Sequence, residues 1–210
     1  MRGGSSCVRA VGFTLIELTI VLAVIATLSL VLTPSVVRAV NDARLVRAQG
    51  DTEAIFAAIT RFSFDNGFFP QWLQAEDGGP GLPSNRVDLL VGEGRGPLVA
   101  TDNLWTMGTS VPLDDQLLAN APGYAVRTPT AFGWNGPYLS GPVTSDPWGN
   151  RYLVNIGLID TSPGPNGAGG SMKKAVWVIT AGPDGMIDTP PIQALTIAEL
   201  GGDDIGARIQ

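Results

Sequence analysis

Histidine is absent from the 210-residue chain, and cysteine occurs once, at Cys7. Without histidine the chain lacks the commonest general base and transition-metal ligand, and it cannot form a Ser–His or Cys–His catalytic pair. A single cysteine cannot form an intramolecular disulfide. Basic residues are few, 13 Lys and Arg against 19 Asp and Glu, and they form no run. A surface that follows the phosphates of a nucleic acid is therefore not expected.

Catalytic motifs are also scarce. An S-x-x-K pattern occurs at Ser171–Lys174, but its K-T-G and S-D-N companions are missing. There is no nucleophile elbow, no phosphate-binding Gly-rich loop and no zinc-ligand spacing. Gly (27) and Pro (16) are abundant, which is typical of many turns and long loops. We therefore expect a protein that is not an enzyme.

One long apolar run, residues 13–33, contains a single charged residue, Glu17. As a helix rising about 1.5 Å per residue, the run is long enough to cross a hydrocarbon core of about 30 Å. A signal peptide would be shorter and would end at a small-residue cleavage site. Hydropathy alone predicts a plain transmembrane anchor. It does not explain Glu17, because a carboxylate at membrane depth costs about 2.5–3.5 kcal/mol.

Cleavage between Gly12 and Phe13 would supply a partner for this carboxylate. The new α-amino group of Phe13 would be positively charged and about one helical turn from Glu17, on the same chain or on a neighbour. Residues 1–12 would then be a short, basic, removable leader whose charges hold it on the cytoplasmic side.

The stretch Gly12–Leu18, G-F-T-L-I-E-L, resembles the class III leader and N-terminus of type IV pilins and type II secretion pseudopilins. The resemblance implies that prepilin peptidase cuts after Gly12 and N-methylates Phe13. It also implies that Glu17 guides the subunit into a helical filament of identical and related subunits, built on an inner-membrane assembly platform. The protein would first be a single-pass inner-membrane protein with a cytoplasmic N-terminus and a periplasmic head.

Apolar periodicity continues beyond the run and predicts one helix over residues 13–63, about 75 Å long. Pro34 can bend this helix, and an anchor followed by a separate amphipathic helix would differ only there. The predicted segments are a leader (1–12), a transmembrane and filament-core helix (13–33), its amphipathic continuation (34–64) and a globular head (65–210).

The head has strand character at residues 151–156 and 174–180, which predicts an antiparallel pair with a long connection. Residues 75–135 are rich in Gly, Pro and Asp and predict loops and short helices. The expected fold is α+β, with one long N-terminal helix packed on a small antiparallel sheet, as in pilins.

Three short patterns in the head resemble the major pseudopilin of type II secretion. They are D-N-G-x-x-P at Asp65–Pro70, W-x-G-P-Y at Trp134–Tyr138 and D-P-W-G-N-x-Y at Asp146–Tyr152. By composition alone the last is a turn. Together they favour a pseudopilus subunit that drives protein export. A type IV pilin or minor pilin of a surface filament, for adhesion, motility or DNA uptake, remains the alternative because the loops are enlarged.

Four carboxylates lie on Gly-rich turns near the C-terminus: Asp184, Asp188, Asp203 and Asp204. Their chemistry fits either a solvated acidic turn or a Ca²⁺ site, because Ca²⁺ takes six to eight oxygen ligands. The spacing is not that of an EF-hand.

The resemblance favours calcium, because G-P-D-G and D-I match the two ends of a calcium-binding loop in major pseudopilins. This mapping makes Asp184 and Asp204 ligands, with the Ala181 carbonyl as a third and the adjacent Asp203 as a further candidate. The match departs at Gly202, where the family has the first Asp of its second pair.

Overall fold

The computed structural model describes residues 13–73, 87–99, 104–159 and 174–209. The predicted leader with Gly12, and the serine of the S-x-x-K pattern, lie outside these ranges. The helices are α1 (Leu15–Asn66), α2 (Leu104–Met107) and α3 (Leu113–Leu117). The strands are β1 (Leu89–Val91), β2 (Leu98–Val99), β3 (Ser110–Pro112), β4 (Leu153–Val154), β5 (Trp177–Thr180), β6 (Met186–Ile187) and β7 (Ile205–Arg208).

Helix α1 is a single element of 52 residues that continues through Pro34, which confirms the prediction of one long helix. Its apolar part contains hydroxyl groups that are bonded within the helix. Thr19, Thr27 and Thr33 donate to backbone carbonyls about one turn earlier, at 2.8, 2.9 and 2.7 Å. These bonds satisfy the hydroxyls without water, as an apolar environment requires.

The chain divides into two compact units, Met1–Ala43 and Arg44–Gln210. In the first unit, every described side chain is exposed. In the second unit, α1 contributes buried side chains to the head and ends at Asn66. Gly67 follows with a φ of 78°, and its N–H donates to the Ser63 carbonyl at 2.9 Å. A glycine in the left-handed region is a common helix C-terminal cap.

The head contains a five-stranded sheet in the order β3-β1-β4-β5-β7. Strands β4 and β5 pair antiparallel, which confirms the predicted pair. The sheet as a whole is mixed, because β1 pairs in parallel with β3. The expected α+β fold, with one long N-terminal helix and a small sheet, is confirmed, although the sheet was expected to be antiparallel and one of its four pairings is parallel. Residues 75–135 were expected to form loops and short helices, and their described part also contains the short strands β1, β2 and β3. The parallel pair is possible because the crossover between β1 and β3 contains β2 and α2.

Alternating side chains bury the sheet on both faces, as the period of two in a strand requires. Leu90, Val154 and Val178 lie in one core cluster with the buried residues of α1. Leu89, Leu153 and Ile179 lie in a second cluster, with Trp105 of α2. The segment between β1 and β3 thus covers the sheet face that belongs to the second cluster.

Phe62 of α1 is fully buried in a cluster of aromatic rings. Its ring centroid lies 5.1 Å from that of Tyr124, 5.4 Å from that of Tyr138 and 6.0 Å from that of Trp134. The D-N-G pattern joins the same cluster, since Asn66 Nδ2 donates to the Tyr138 hydroxyl at 3.2 Å. Two of the three patterns singled out in the sequence therefore meet where α1 ends against the head.

Replacing Phe62 by Ala should lower the free energy of unfolding of the head by about 3–5 kcal/mol, the usual cost of emptying a buried aromatic site. Urea denaturation of the full chain in detergent micelles, followed by tryptophan fluorescence, measures this. Phe64 is a matched control on the same helix because it is 76% exposed. Phe64→Ala should change stability by no more than about 0.5 kcal/mol. Equal losses from both variants would contradict the assigned core.

Candidate functional site

The start of α1 is closed by a capping box between Thr14 and Glu17. The Thr14 backbone N–H and hydroxyl both donate to Glu17 Oε2, at 2.9 and 2.8 Å. The Glu17 N–H donates in return to Thr14 Oγ1 at 3.3 Å. Reciprocal bonds of this kind satisfy backbone donors that the first helical turn leaves free.

Sequence reasoning missed this role of Glu17, although the T-x-x-E signal was present. The carboxylate has partners on its own chain without any cleavage. The box would also survive cleavage before Phe13, because the Phe13–Thr14 peptide bond lies after that point. Phe13 itself is 85% exposed. Pairing of its amino group with Glu17 stays a prediction.

The side chains of α1 after this turn form an apolar surface. Among the described residues, α1 is the one helix long and apolar enough to cross a membrane, and its most apolar part is not buried against the rest of the chain. Leucines and isoleucines such as Leu22 and Leu28 remain more than half exposed, at 57% and 56%. An apolar surface of this size fits a membrane anchor or a contact with other helices.

The second candidate site is an acidic cluster between β5 and β7. It is formed by the turn that carries Asp184, by Asp188 directly after β6 and by the turn that carries Asp203. One carboxylate oxygen from each of Asp184, Asp188 and Asp203 lies within 4.8 Å of the other two. The turn at Asp184 is held by its own side chain, since the Met186 N–H donates to Asp184 Oδ1 at 2.7 Å. The Asp184 N–H donates to Asp203 Oδ2 at 3.3 Å, which joins the two turns.

Two glycines allow the acidic residues to lie close to one another. Gly182 has a φ of 63° and Gly202 a φ of 54°, in the region that favours glycine. A Cβ on Gly182 would overlap the Asp203 carbonyl oxygen, and a Cβ on Gly202 would overlap Asp188 Oδ2. The carboxylate of Asp188 therefore lies in the space that a side chain at position 202 would need.

Asp204 differs from the three exposed carboxylates of the cluster because it is buried, with only 8% of its surface exposed. Its Oδ2 accepts from the Thr189 hydroxyl at 2.6 Å and from the N–H groups of Thr189 and Asp188 at 2.7 and 3.0 Å. Its Oδ1 is buried and has no hydrogen-bond partner among the described residues. Burial raises the pKa of Asp204, while the Thr189 bonds oppose this and the charge of Asp188 adds to it.

The structure brings together part of the predicted ligand set. Asp184 and Asp203 share one cluster, Asp204 is adjacent through Asp188, and Ala181 is fully buried just after β5. The roles assigned to Asp204 and to the Ala181 carbonyl stay predictions. The structure adds Asp188 to the candidate ligands. The sequence analysis identified Asp188 as one of four carboxylates but did not predict it to be a ligand. Its position four residues after Asp184 was the available signal.

Comparison with known proteins supports a relationship to pseudopilins over part of the chain. The chain is 35% identical over 63 residues to a type II secretion system core protein G from Pseudomonas aeruginosa. The match covers 30% of this chain and 44% of that protein, less than half of its length. No protein-family model matches the chain, and no solved structure matches it.

Proposed function

We propose that the chain is a structural subunit of a pseudopilus that assembles from the inner membrane and drives protein export by type II secretion. The observation that carries the proposal is α1, whose exposed apolar first part contains one charged residue, Glu17, at its start. A structural subunit needs an assembly helix and a head that packs. The partial match to a type II secretion core protein supports the same role.

The proposal includes processing of the N-terminus. Prepilin peptidase would remove residues 1–12 after Gly12 and methylate the amino group of Phe13. Residues 13–33 would then lie in the membrane or the filament core, 34–64 would continue the helix, and the head from residue 65 would face the periplasm. The subunit would associate with identical and related subunits and with the inner-membrane assembly platform.

A strain that lacks the chain should fail to export the proteins that its type II machine carries, because the machine would lack a filament subunit. The measurement compares secreted and periplasmic fractions by immunoblot, with restoration by the wild-type gene as the control. Normal export together with loss of a surface filament would contradict the pseudopilus and support the pilin alternative.

Replacement of Glu17 separates its two roles. Glu17→Gln keeps an acceptor for the capping box but removes the charge, whereas Glu17→Ala removes both. We expect both variants to be cleaved normally and neither to enter filaments, because assembly depends on the charge that meets the amino group of Phe13. Electrophoretic mobility reports cleavage, and immunoblots of sheared filaments report assembly.

Glu53→Gln is the matched control, because Glu53 is an exposed residue of the same helix outside the apolar run. It should assemble like the wild type. Normal filaments from Glu17→Gln but not from Glu17→Ala would show that capping is the whole role of Glu17. Normal filaments from both variants would refute a role in assembly.

The acidic cluster is the proposed Ca²⁺ site of this subunit, held by Asp184, Asp188 and Asp203. Two oxygens that each lie about 2.4 Å from one ion can be at most about 4.8 Å apart, and the three carboxylates meet this necessary condition for sharing a single Ca²⁺. The close contacts at Gly182 and Gly202 support the fit, because they bring Asp203 and Asp188 close to the turns that form the cluster. Asp204 and the Ala181 carbonyl are the proposed further ligands, and the buried Oδ1 of Asp204 has no hydrogen-bond partner among the described residues. A bound Ca²⁺ would offset two of the three negative charges and stabilise the loop that the carboxylates close.

Titration of the full chain in detergent with Ca²⁺ should release or absorb heat to saturation, and Asp184→Asn should weaken binding by at least about tenfold, or about 1.4 kcal/mol. Mg²⁺ should compete weakly, because it requires a more regular octahedral shell. Asp42→Asn removes the same charge from an exposed position on α1 and should leave the affinity unchanged. Absence of any heat with Ca²⁺ for the wild type would refute the calcium site.

A further inference from the structure

The turn Asp146–Asn150 is built around one buried carboxylate. Asp146 is 4% exposed, and its Oδ1 accepts from the N–H groups of Trp148 and Asn150 at 2.9 and 2.7 Å. Its Oδ2 accepts from the hydroxyl of Thr180, the last residue of β5, at 2.6 Å. The turn is therefore bonded to the end of β5, just before residues 182–188, which we call the acidic loop.

Asn150 extends this connection into the acidic loop. Its side chain is 1% exposed, and Nδ2 donates to the Gly182 carbonyl at 2.8 Å. Its Oδ1 lies against Gly185, where a Cβ would be 3.3 Å from it. One buried amide thus contacts both ends of the G-P-D-G turn that carries Asp184.

The segment before β2 supports Asn150 from the outside. The Arg95 guanidinium donates to Asn150 Oδ1 at 3.3 Å, and the Arg95 N–H donates to the Gly149 carbonyl at 2.9 Å. Beyond it, the Leu98 N–H donates to the Gly185 carbonyl at 2.9 Å, at the start of the parallel pairing of β2 with β6. The acidic loop therefore contacts Asn150 on one side and the segment that contains Arg95 and Leu98 on the other.

We propose that Asn150 is a positioning residue that orders the Asp184 loop before any cation binds. The inference rests on the proposed function for its calcium consequence, but the ordering of the loop does not depend on the ion. Asn150 fixes the Gly182 carbonyl, Gly182 fits against Asp203 only without a side chain, and Asp184 thereby faces the carboxylate of Asp203. Loss of the amide should free the loop while the sheet below it stays folded.

The test is Asn150→Leu in the full chain in detergent, because leucine is of similar size and cannot bond to Gly182. Hydrogen exchange by mass spectrometry in EDTA follows peptides that contain residues 182–188. We expect exchange there to become about tenfold faster, the usual effect of losing a buried hydrogen bond, and peptides of β4 and β5 to be unaffected. In parallel, calcium affinity should fall by about tenfold.

Gln116→Met is the matched control. Gln116 is also a buried amide at 1% exposed, and it donates to the Trp72 carbonyl at 2.9 Å, outside the contacts of the acidic loop. It should lower overall stability but leave exchange at 182–188 and calcium affinity unchanged. If Asn150→Leu does not fold, Arg95→Met takes its place, since Arg95 is exposed and its loss removes one donor to Asn150. Exchange at 182–188 should then be about threefold faster.

Unchanged exchange at 182–188 in the folded variant would overturn the proposal. Faster exchange there with unchanged calcium affinity would support the positioning role and overturn its calcium consequence. A uniform increase across all peptides would also overturn the proposal, because that would mean a general loss of stability. If the wild type binds no calcium but Asn150→Leu still loosens the loop, the calcium site fails and the positioning role stands.

Discussion

Strand β5 is buried on both faces, and the head depends on this double burial. One face needs the buried side chains of α1, and the other needs a cover that the segment between β1 and β3 supplies through Trp105. Because both covers are required, the described residues between β1 and β3 contribute to the core through Trp105. The same strand ends at Thr180, which bonds to Asp146, and Gly182 follows two residues later in the turn that carries Asp184. The core strand therefore leads directly into the candidate cation site.

The first part of α1 presents the opposite situation. Its threonine hydroxyls and the carboxylate of Glu17 have partners within the helix. The apolar surface of this part is uncovered, since no described side chain before Arg44 is buried. Apolar surface is removed from water by lipid or by other apolar helices. A helix with these properties is suited to a bilayer or to packing among other apolar helices, since either environment would cover the same surface.

The elements that were predictable from the sequence have a strong local signal. Helix α1 begins with a long apolar run, β5 lies in the predicted segment 174–180 with its β-branched and aromatic residues, and β4 lies within the predicted segment 151–156. Strands β1 to β3 have two or three residues each, too few to show a period, and β7 reads Ile-Gly-Ala-Arg, with little strand propensity. These strands form because neighbouring strands offer backbone partners, which is a tertiary effect. The parallel pairing of β1 with β3 has no local signal for the same reason.

The acidic site shows how a pattern can be incomplete along the chain and complete in space. Position 202 lacks the carboxylate that the resembling pattern has, and by sequence this counted against a site. In the structure the carboxylate of Asp188 lies where a side chain at 202 would start, and only glycine leaves that room. Asp188 is placed there by the bond from its N–H to Asp204, which is itself held by Thr189. The carboxylate that is missing at position 202 and the additional carboxylate of Asp188 therefore concern the same place in the structure, which residue-by-residue matching cannot detect.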